Sequence, residues 1–340
     1  MELGIGLSYW RETRPTGTVD LLRRAVDLGY TSAWTAEAYG SDALTPIASY
    51  SAQVPELRYG TAVAQLSART PACAAMSAMT LDHLTDGRFS LGLGVSGPQV
   101  VEGWYGAPFA RPLERMREYV EIIRRISARD EPVSFEGRQL TLPYPGGTGL
   151  GKPLRSILRP VRDLRVLIGA EGPKNVSLAA EIGDGWIAWL FSPHACEPYK
   201  KALAEGFARP GARRKAADFE VVASVFAVVD EDVEKAADRV RPTIALYVGG
   251  MGAKGANFHY DVVARMGFEA EAARIQEHYL AGRRKDAVAA VPRALVERLA
   301  LVGPAAKIRD DLAAWRDSPV TTLVVEGTEE AMAAVARARG

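Results

Sequence analysis

The apolar positions of this chain change period in a regular rhythm. Glu2-Leu-Gly-Ile-Gly-Leu-Ser8 alternates apolar and small residues, as a strand does. Val19, Leu22, Ala25 and Val26 then recur at helical spacing and stop at Gly29, which predicts a helix over 18–28. The pair of signals repeats: a strand over 31–37 ending in Glu37, a helix over 43–52, a strand over 57–64 and a helix over 71–84. Phe89 to Val95 is a short apolar run opened by the turn signal Asp86-Gly87, and it reads as a buried fourth strand. Leu113, Met116, Tyr119, Val120, Ile123 and Ile126 form an amphipathic helix over 112–129. Strands return over 164–170, 183–190 and 219–229; the chain then reads as helical to about residue 315, broken at Gly249–Gly252, and 321–326 is the last strand.

Eight strands alternating with helices, with no linker or change of composition between them, predict a closed (β/α)8 TIM barrel spanning 1–340 as a single domain. Two stretches exceed what the barrel needs and are read as insertions after strands four and seven, over about 130–163 and 245–300. The first contains a short hairpin around Glu136-Gly137 and then a Gly- and Pro-rich run from Pro143 to Lys152; a loop of that length in a compact domain is expected to be a lid.

Composition narrows the function classes. At 340 residues and 48% hydrophobic content the chain can bury a large core. Forty-two basic residues against forty-one acidic ones leave a net charge of +1 and no field for a polyanion, so nucleic acid is not an expected partner. No run approaches the length of a membrane span and no charged leader precedes an apolar segment, from which a cytoplasmic protein without a membrane partner is expected. Cys73 and Cys196 lie far apart and are expected to be reduced, small and buried. The basic run over 208–216 is expected to be a solvated loop.

In such a barrel the chemistry collects at the C-terminal ends of the strands. That rule gathers Tyr9 and Trp10, Glu37 and Tyr39, residues 63–65, Gly94 to Gly97, Ala170 to Lys174, and Trp189. Gly92-Leu-Gly-Val-Ser-Gly97 satisfies G-x-G-x-x-G, but Pro98 follows and the strand comes late, so three readings stay open: a dinucleotide turn, a plain tight turn, and a flavin-type cofactor loop. Gly172-Pro-Lys-Asn175 opens a helix, where free N–H groups favour an anion and Lys174 adds charge. The four histidines show no ligand spacing, so no catalytic metal is expected, and no nucleophile motif is present. A barrel with places for a ring and a phosphate but without nucleophile or metal points to cofactor redox chemistry.

Four segments carry a family likeness: WTAEAYGSDALTPIA (34–48), GTAVAQLSARTPA (60–72), LDHLTDGRFSLGLGVSGPQVVEGWYG (81–106) and IGAEGPKNVSLAAEIGDGW (168–186). With them the chain resembles the luciferase-like monooxygenase superfamily, and within it the actinobacterial branch of oxidoreductases that use the deazaflavin coenzyme F420. The resemblance implies a homodimer that transfers a hydride between C5 of the deazaflavin and a small, mostly apolar substrate. It implies a non-prolyl cis peptide at Ala62-Val63, with Ala62, Val63 and Ala64 supporting the ring, Gly94, Val95, Ser96 and Gly97 flanking it, and Ala170, Glu171, Gly172, Pro173 and Lys174 receiving its phosphate. Glu37 is the expected catalytic, proton-handling group, and Trp10, Tyr39, Trp104 and Trp189 line the expected substrate pocket. An FMN-dependent monooxygenase of the same fold and a non-catalytic F420 carrier or sensor are the alternatives.

Overall fold

The computed structural model describes residues 1–340. Twelve strands form in chain order: β1 (Glu2–Ser8), β2 (Ser32–Thr35), β3 (Arg58–Thr61), β4 (Ala64–Gln65), β5 (Phe89–Gly94), β6 (Phe135–Glu136), β7 (Thr141–Leu142), β8 (Arg165–Gly169), β9 (Gly185–Ala188), β10 (Glu220–Val229), β11 (Ala300–Gly303) and β12 (Thr322–Gly327). Eight of them close a parallel barrel in the order β1-β2-β3-β5-β8-β9-β10-β12, and β12 pairs back onto β1. The fold expected from the periodicity is therefore present. No helix is long and apolar enough to cross a membrane.

The barrel interior is built in layers. At its floor, Arg58 donates to Glu220 through both guanidinium nitrogens (2.7 and 2.5 Å), Arg165 donates to the same carboxylate at 2.7 Å, and Thr322 Oγ1 donates at 2.8 Å. Burial alone would raise the Glu220 pKa, yet Arg58 and Arg165 hold it below the usual carboxylate range. Above that lies Trp34, packed with Leu167, Ile187, Val222 and Val324. The indole fits because β1 and β3 offer glycines. A Cβ on Gly60 would come within 2.4 Å of the ring, and one on Gly4 within 2.9 Å of its Nε1. The two faces of the strands thus do different work: the outward face joins the large core under the helices, and the inward face carries one aromatic plug over one ion cluster.

Three expectations need correction. The segment 130–163 is not a lid. It leaves the end of helix Pro112–Ala128, which returns the chain to the floor side, and enters β8 there. Its hairpin β6–β7 lies along that helix, with Glu118 accepting from the N–H groups of Arg138, Gln139 and Leu140 (2.8–2.9 Å). Its return is tied to helix Pro71–Leu84, where Asp82 accepts from Val161 N at 2.6 Å and His83 Nε2 lies 2.7 Å from Arg159 O. The basic run is an exposed loop, as expected, anchored by two of its arginines: Arg213 and Arg214 donate to buried Asp184 (3.1 and 2.7 Å) and to Asp163, and Arg124 also binds Asp184. The chain after β10 is not helical throughout, because Ala300–Gly303 forms β11 against the far half of β10. A run of four residues between helices carries no period of its own; the unpaired edge of β10 decides it. Finally, Cys196 is buried but Cys73 is exposed.

β10 is ten residues long, and its far half serves a second, smaller core. Val240, Ile244, Val248, Ile275, Leu295 and Val302 gather there with helices Val233–Ala245, Glu269–Leu280 and Arg293–Leu299.

Removing one partner of a desolvated ion cluster leaves the other charges uncompensated. Glu220→Gln is therefore expected to destabilise the protein by about 3–5 kcal/mol at neutral pH, measured by urea unfolding. The sign with pH follows from the depressed carboxylate: its contribution is complete above the unfolded-state pKa and is lost as pH falls through the folded-state value, so wild type and variant should converge in acid.

Candidate functional site

The mouth of the barrel is floored by small residues. Gly6, Ala36, Ala62, Gly94 and Gly169 end the inward faces of β1, β2, β3, β5 and β8, continuing the parity of Gly4, Trp34, Gly60, Gly92 and Leu167 below them. Between β3 and β4 the chain bulges inward, and the Ala62–Val63 peptide bond is cis, as the family likeness implies. The bulge is held by Ala62 N–H donating to Thr35 O (2.6 Å) and Glu37 N–H donating to Val63 O (3.3 Å). It lifts Val63 into the mouth. A Cβ on Gly94 would come within 2.4 Å of the Val63 side chain, and one on Gly169 within 2.8 Å. The bed is therefore flush: one isopropyl group set among glycines, a shape suited to the face of a flat ring.

Two loops rise from this bed. After β5, Gly94-Val-Ser-Gly97 leaves through Ser96 at φ +60° and runs into the short helix Pro98–Gly103. Gly97 caps that helix from outside, so the dinucleotide geometry, which needs the third glycine inside the helix, is absent. After β8, Gly172 opens helix Pro173–Ile182 with no side-chain cap, leaving N–H groups free for an anion. Lys174 is exposed beside them. Glu171 does not face that anion position: its Oε1 lies 2.8 Å from His259 Nδ1, and Arg265 donates to its backbone oxygen at 3.0 Å.

Glu37 sits at the end of β2 as expected, but not as a free acid. Its carboxylate accepts four hydrogen bonds, from Ala43 N (3.0 Å), Gln65 N (2.7 Å) and both terminal nitrogens of Arg69 (2.7 and 2.9 Å). Gln65 also donates from its side chain to Glu37 O at 3.1 Å. Glu37 thus fastens the residue after the bulge, the loop after β2 and Arg69 into one unit.

The four expected pocket residues scatter. Trp189 faces the mouth in an aromatic wall, 5.6 Å from Phe226 and 5.0 Å from Tyr247 between ring centroids. Tyr39 stands at the rim, 58% exposed. Trp10 is turned away, its indole N–H donating to Tyr50 Oη in the core at 3.2 Å. Trp104 is 65% exposed on the loop after helix Pro98–Gly103.

Five further residues reach the mouth. Phe226 comes from β10; Tyr247, His259 and Arg265 come from the second insertion; and Glu326 ends β12. The rings of Tyr247 and His259 meet edge to face at 4.8 Å. Burial pushes the Tyr247 hydroxyl well above its usual range, helped by Glu326, Tyr9, Glu171 and Tyr39. The second insertion, not the first, supplies the wall. Glu326 had the same signal in the sequence as Glu37, an acid at the end of an apolar strand, whereas no local pattern in residues 245–270 marks which side chains turn back to the barrel.

Comparison with known proteins agrees with this geometry. The family model described as luciferase-like monooxygenase matches residues 4–322. A Mycobacterium tuberculosis protein provisionally named coenzyme F420-dependent oxidoreductase Rv3520c is 47% identical over 328 residues, covering 96% of this chain and 94% of the relative. The 5,10-methylenetetrahydromethanopterin reductase of Archaeoglobus fulgidus is 30% identical over 67% of this chain and 65% of its own length. Among solved structures, the coenzyme F420-dependent tetrahydromethanopterin reductase of Methanopyrus kandleri superposes with a TM-score of 0.80 at 23% identity, covering 99% of this chain and 97% of that one. An F420-dependent secondary alcohol dehydrogenase, solved with an F420–acetone adduct, gives 0.76 at 16% identity over 98% of both chains. At these identities the two structures speak for the fold.

The pairing at the bulge predicts that Glu37→Gln leaves Arg69 without its charge partner and costs about 3–5 kcal/mol of stability. Hydrogen exchange should show the loss first at the amides of Ala43 and Gln65.

Proposed function

Because the chain belongs to the luciferase-like monooxygenase family, we propose that it is an F420-dependent oxidoreductase. It moves a hydride between C5 of the deazaflavin and a small organic substrate of mostly apolar character. The observation that carries this reading is the flush bed around Val63, where Gly94 and Gly169 have no room for a Cβ. The 47% identical relative, itself named for F420, supports the choice of cofactor.

The residues present fit such a group. Ala62, Val63 and Ala64 would carry the ring, Gly94, Val95, Ser96 and Gly97 would border it, and Ala170 to Lys174 would take the phosphate, with Arg265 beside them. When bound, the deazaflavin supplies two-electron hydride chemistry. The chain supplies the rest. Glu37 and Arg69 hold the bulge at fixed height, so Glu37 acts here as a positioning residue in place of the proton donor expected from its position. Trp189, Phe226 and Tyr247 give the substrate an apolar wall and exclude water from one side.

A homodimer belongs to the same proposal. Helix Pro71–Leu84 leaves Met76 and Leu84 in solvent, and the strand of chain pinned to its end leaves Ile157 95% exposed. Apolar side chains gathered this way mark an interaction surface.

The cofactor is tested by titration. F420 fluorescence should saturate on adding protein, and Gly94→Val should weaken binding by at least about 100-fold by placing bulk on the ring face. A purified protein that retains FMN and ignores F420 would instead support the FMN-dependent monooxygenase. Binding of F420 with no turnover on any of a panel of alcohols, ketones, imines and enones would support the carrier or sensor. For the dimer, Met76→Asp combined with Ile157→Asp is expected to halve the mass seen by light scattering.

A further inference from the structure

Glu326 is a half-buried acid at the mouth of this barrel, and no side chain or backbone group of the protein partners it. Glu37 is matched by Arg69, Glu220 by Arg58 and Arg165, Asp184 by Arg124, Arg213 and Arg214, and Glu118 by three backbone N–H groups. The fold compensates its fully buried acids, and this half-buried one it leaves bare at the mouth.

Its placement follows from the strand. Val324 faces the barrel interior beside Trp34, so Glu326, two residues on, faces the same way one layer higher, level with the bed. Gly6 on β1 gives it room, since a Cβ there would come within 2.6 Å of the Glu326 Cγ. Phe226 lies opposite on β10. The titratable groups that face this corner are Tyr9 after β1, Tyr39 after β2, Glu171 after β8 and Tyr247 from the second insertion. Each is neutral or acidic; of the basic groups around them, His259 lies against Glu171 and Tyr247, Arg265 donates to the Glu171 backbone and Arg11 bears on Tyr9, and none forms an ion pair with Glu326. With no ion pair or hydrogen bond to offset it, burial pushes the Glu326 carboxyl up to about 7. A group that changes protonation near neutral pH, recessed beside a redox bed and an aromatic wall, is suited to passing protons.

Resting on the hydride-transfer reading above, we propose that Glu326 is the acid–base residue of the reaction, and that the substrate is a carbonyl–alcohol or imine–amine pair whose heteroatom meets this carboxyl. In the reducing direction the electron pair with its hydrogen adds to the substrate carbon as the reduced deazaflavin is oxidised by two electrons. The C=O or C=N π bond breaks, and the heteroatom takes the Glu326 proton. The carboxylate left behind is reprotonated from solvent. In the oxidising direction the carboxylate removes the O–H or N–H proton while the C–H pair leaves to the oxidised deazaflavin. Reduction then requires the protonated form and slows as pH rises through about 7; oxidation shows the opposite limb.

The test has one arm on the protein alone and one on turnover. With 13C-labelled glutamate, one side-chain carboxyl resonance should titrate near 7 and vanish in Glu326→Gln. The unfolded-state carboxyl ionises near 4.5 and the folded one near 7, so the melting temperature of Glu326→Gln should gain on wild type as pH rises from about 4.5 to about 7 and level off above it. With acetone, cyclohexanone and their alcohols as probes, Glu326→Gln should lower kcat by about 10²–10⁴-fold and flatten the pH limb, with F420 affinity by fluorescence unchanged. Glu326→Asp, which keeps the acid on a shorter arm, should retain part of the rate and so separate loss of chemistry from misfolding. A Glu326 resonance that titrates in the ordinary carboxylate range overturns the proposal, as does wild-type kcat with an unaltered pH profile in the Gln variant. Failure of F420 to bind wild type overturns the cofactor reading instead, and leaves the carboxyl titration to be read on its own.

Discussion

An eight-stranded parallel barrel has a narrow centre, and how that space is filled decides what remains above it. Here a single indole does most of the filling. Trp34 lies across the axis because Gly4 and Gly60 give it the width it needs, and Leu167, Ile187, Val222 and Val324 close around it. Below the ring, buried Glu220 is held ionised by Arg58 and Arg165, which reach it from the partly exposed floor, and the Arg58 guanidinium also sits 5.5 Å from the Trp34 ring centroid. The plug and the ion cluster together make a solid base. With the lower two layers occupied, the upper layer needs no bulk for stability, and β1, β2, β3, β5 and β8 can end in glycine and alanine.

The treatment of buried charge separates structure from chemistry. Five buried acids are matched, and they join elements far apart in sequence: Glu37 ties the loop after β2 to the bulge, and Asp184 draws the start of β9 to Arg124 and to the basic run beyond helix Glu197–Phe207. Glu220 and Asp184 are held ionised by their arginine partners, which keep their pKa values below the usual range despite burial. Such groups are poor proton carriers, since giving them a proton breaks the structure they maintain. The acid at the end of β12 has no such duty.

Much of the architecture was legible in the sequence, because the alternation of periods two and 3.6 is set by backbone geometry and survives without tertiary information. The bulge and the loops after β5 and β8 were legible through their glycines. What could not be read depends on direction and on non-local pairing. Residues 130–163 look like a lid by composition; they are not one because they connect a helix to a strand, and such connections lie at the end of the barrel opposite the mouth. The strand at Ala300–Gly303 exists only because β10 overhangs its neighbours. Glu37 and Glu326 carry the same local signal, and the difference between them is Arg69, which stands thirty-odd residues from one and is absent from the other. Trp10 and Trp104 show the limit again, since a residue's position near a strand end does not say which way its ring turns.

The overhang of β10 has a mechanical consequence. One continuous strand belongs to the barrel at its first half and to the satellite helical layer at its second, with β11 stitched to it by parallel hydrogen bonds. A layer joined through an unbroken strand cannot swing away like a door on a flexible hinge. The wall bearing Tyr247 and His259 is therefore a fixed jamb of the mouth, anchored to the barrel along the whole of β10.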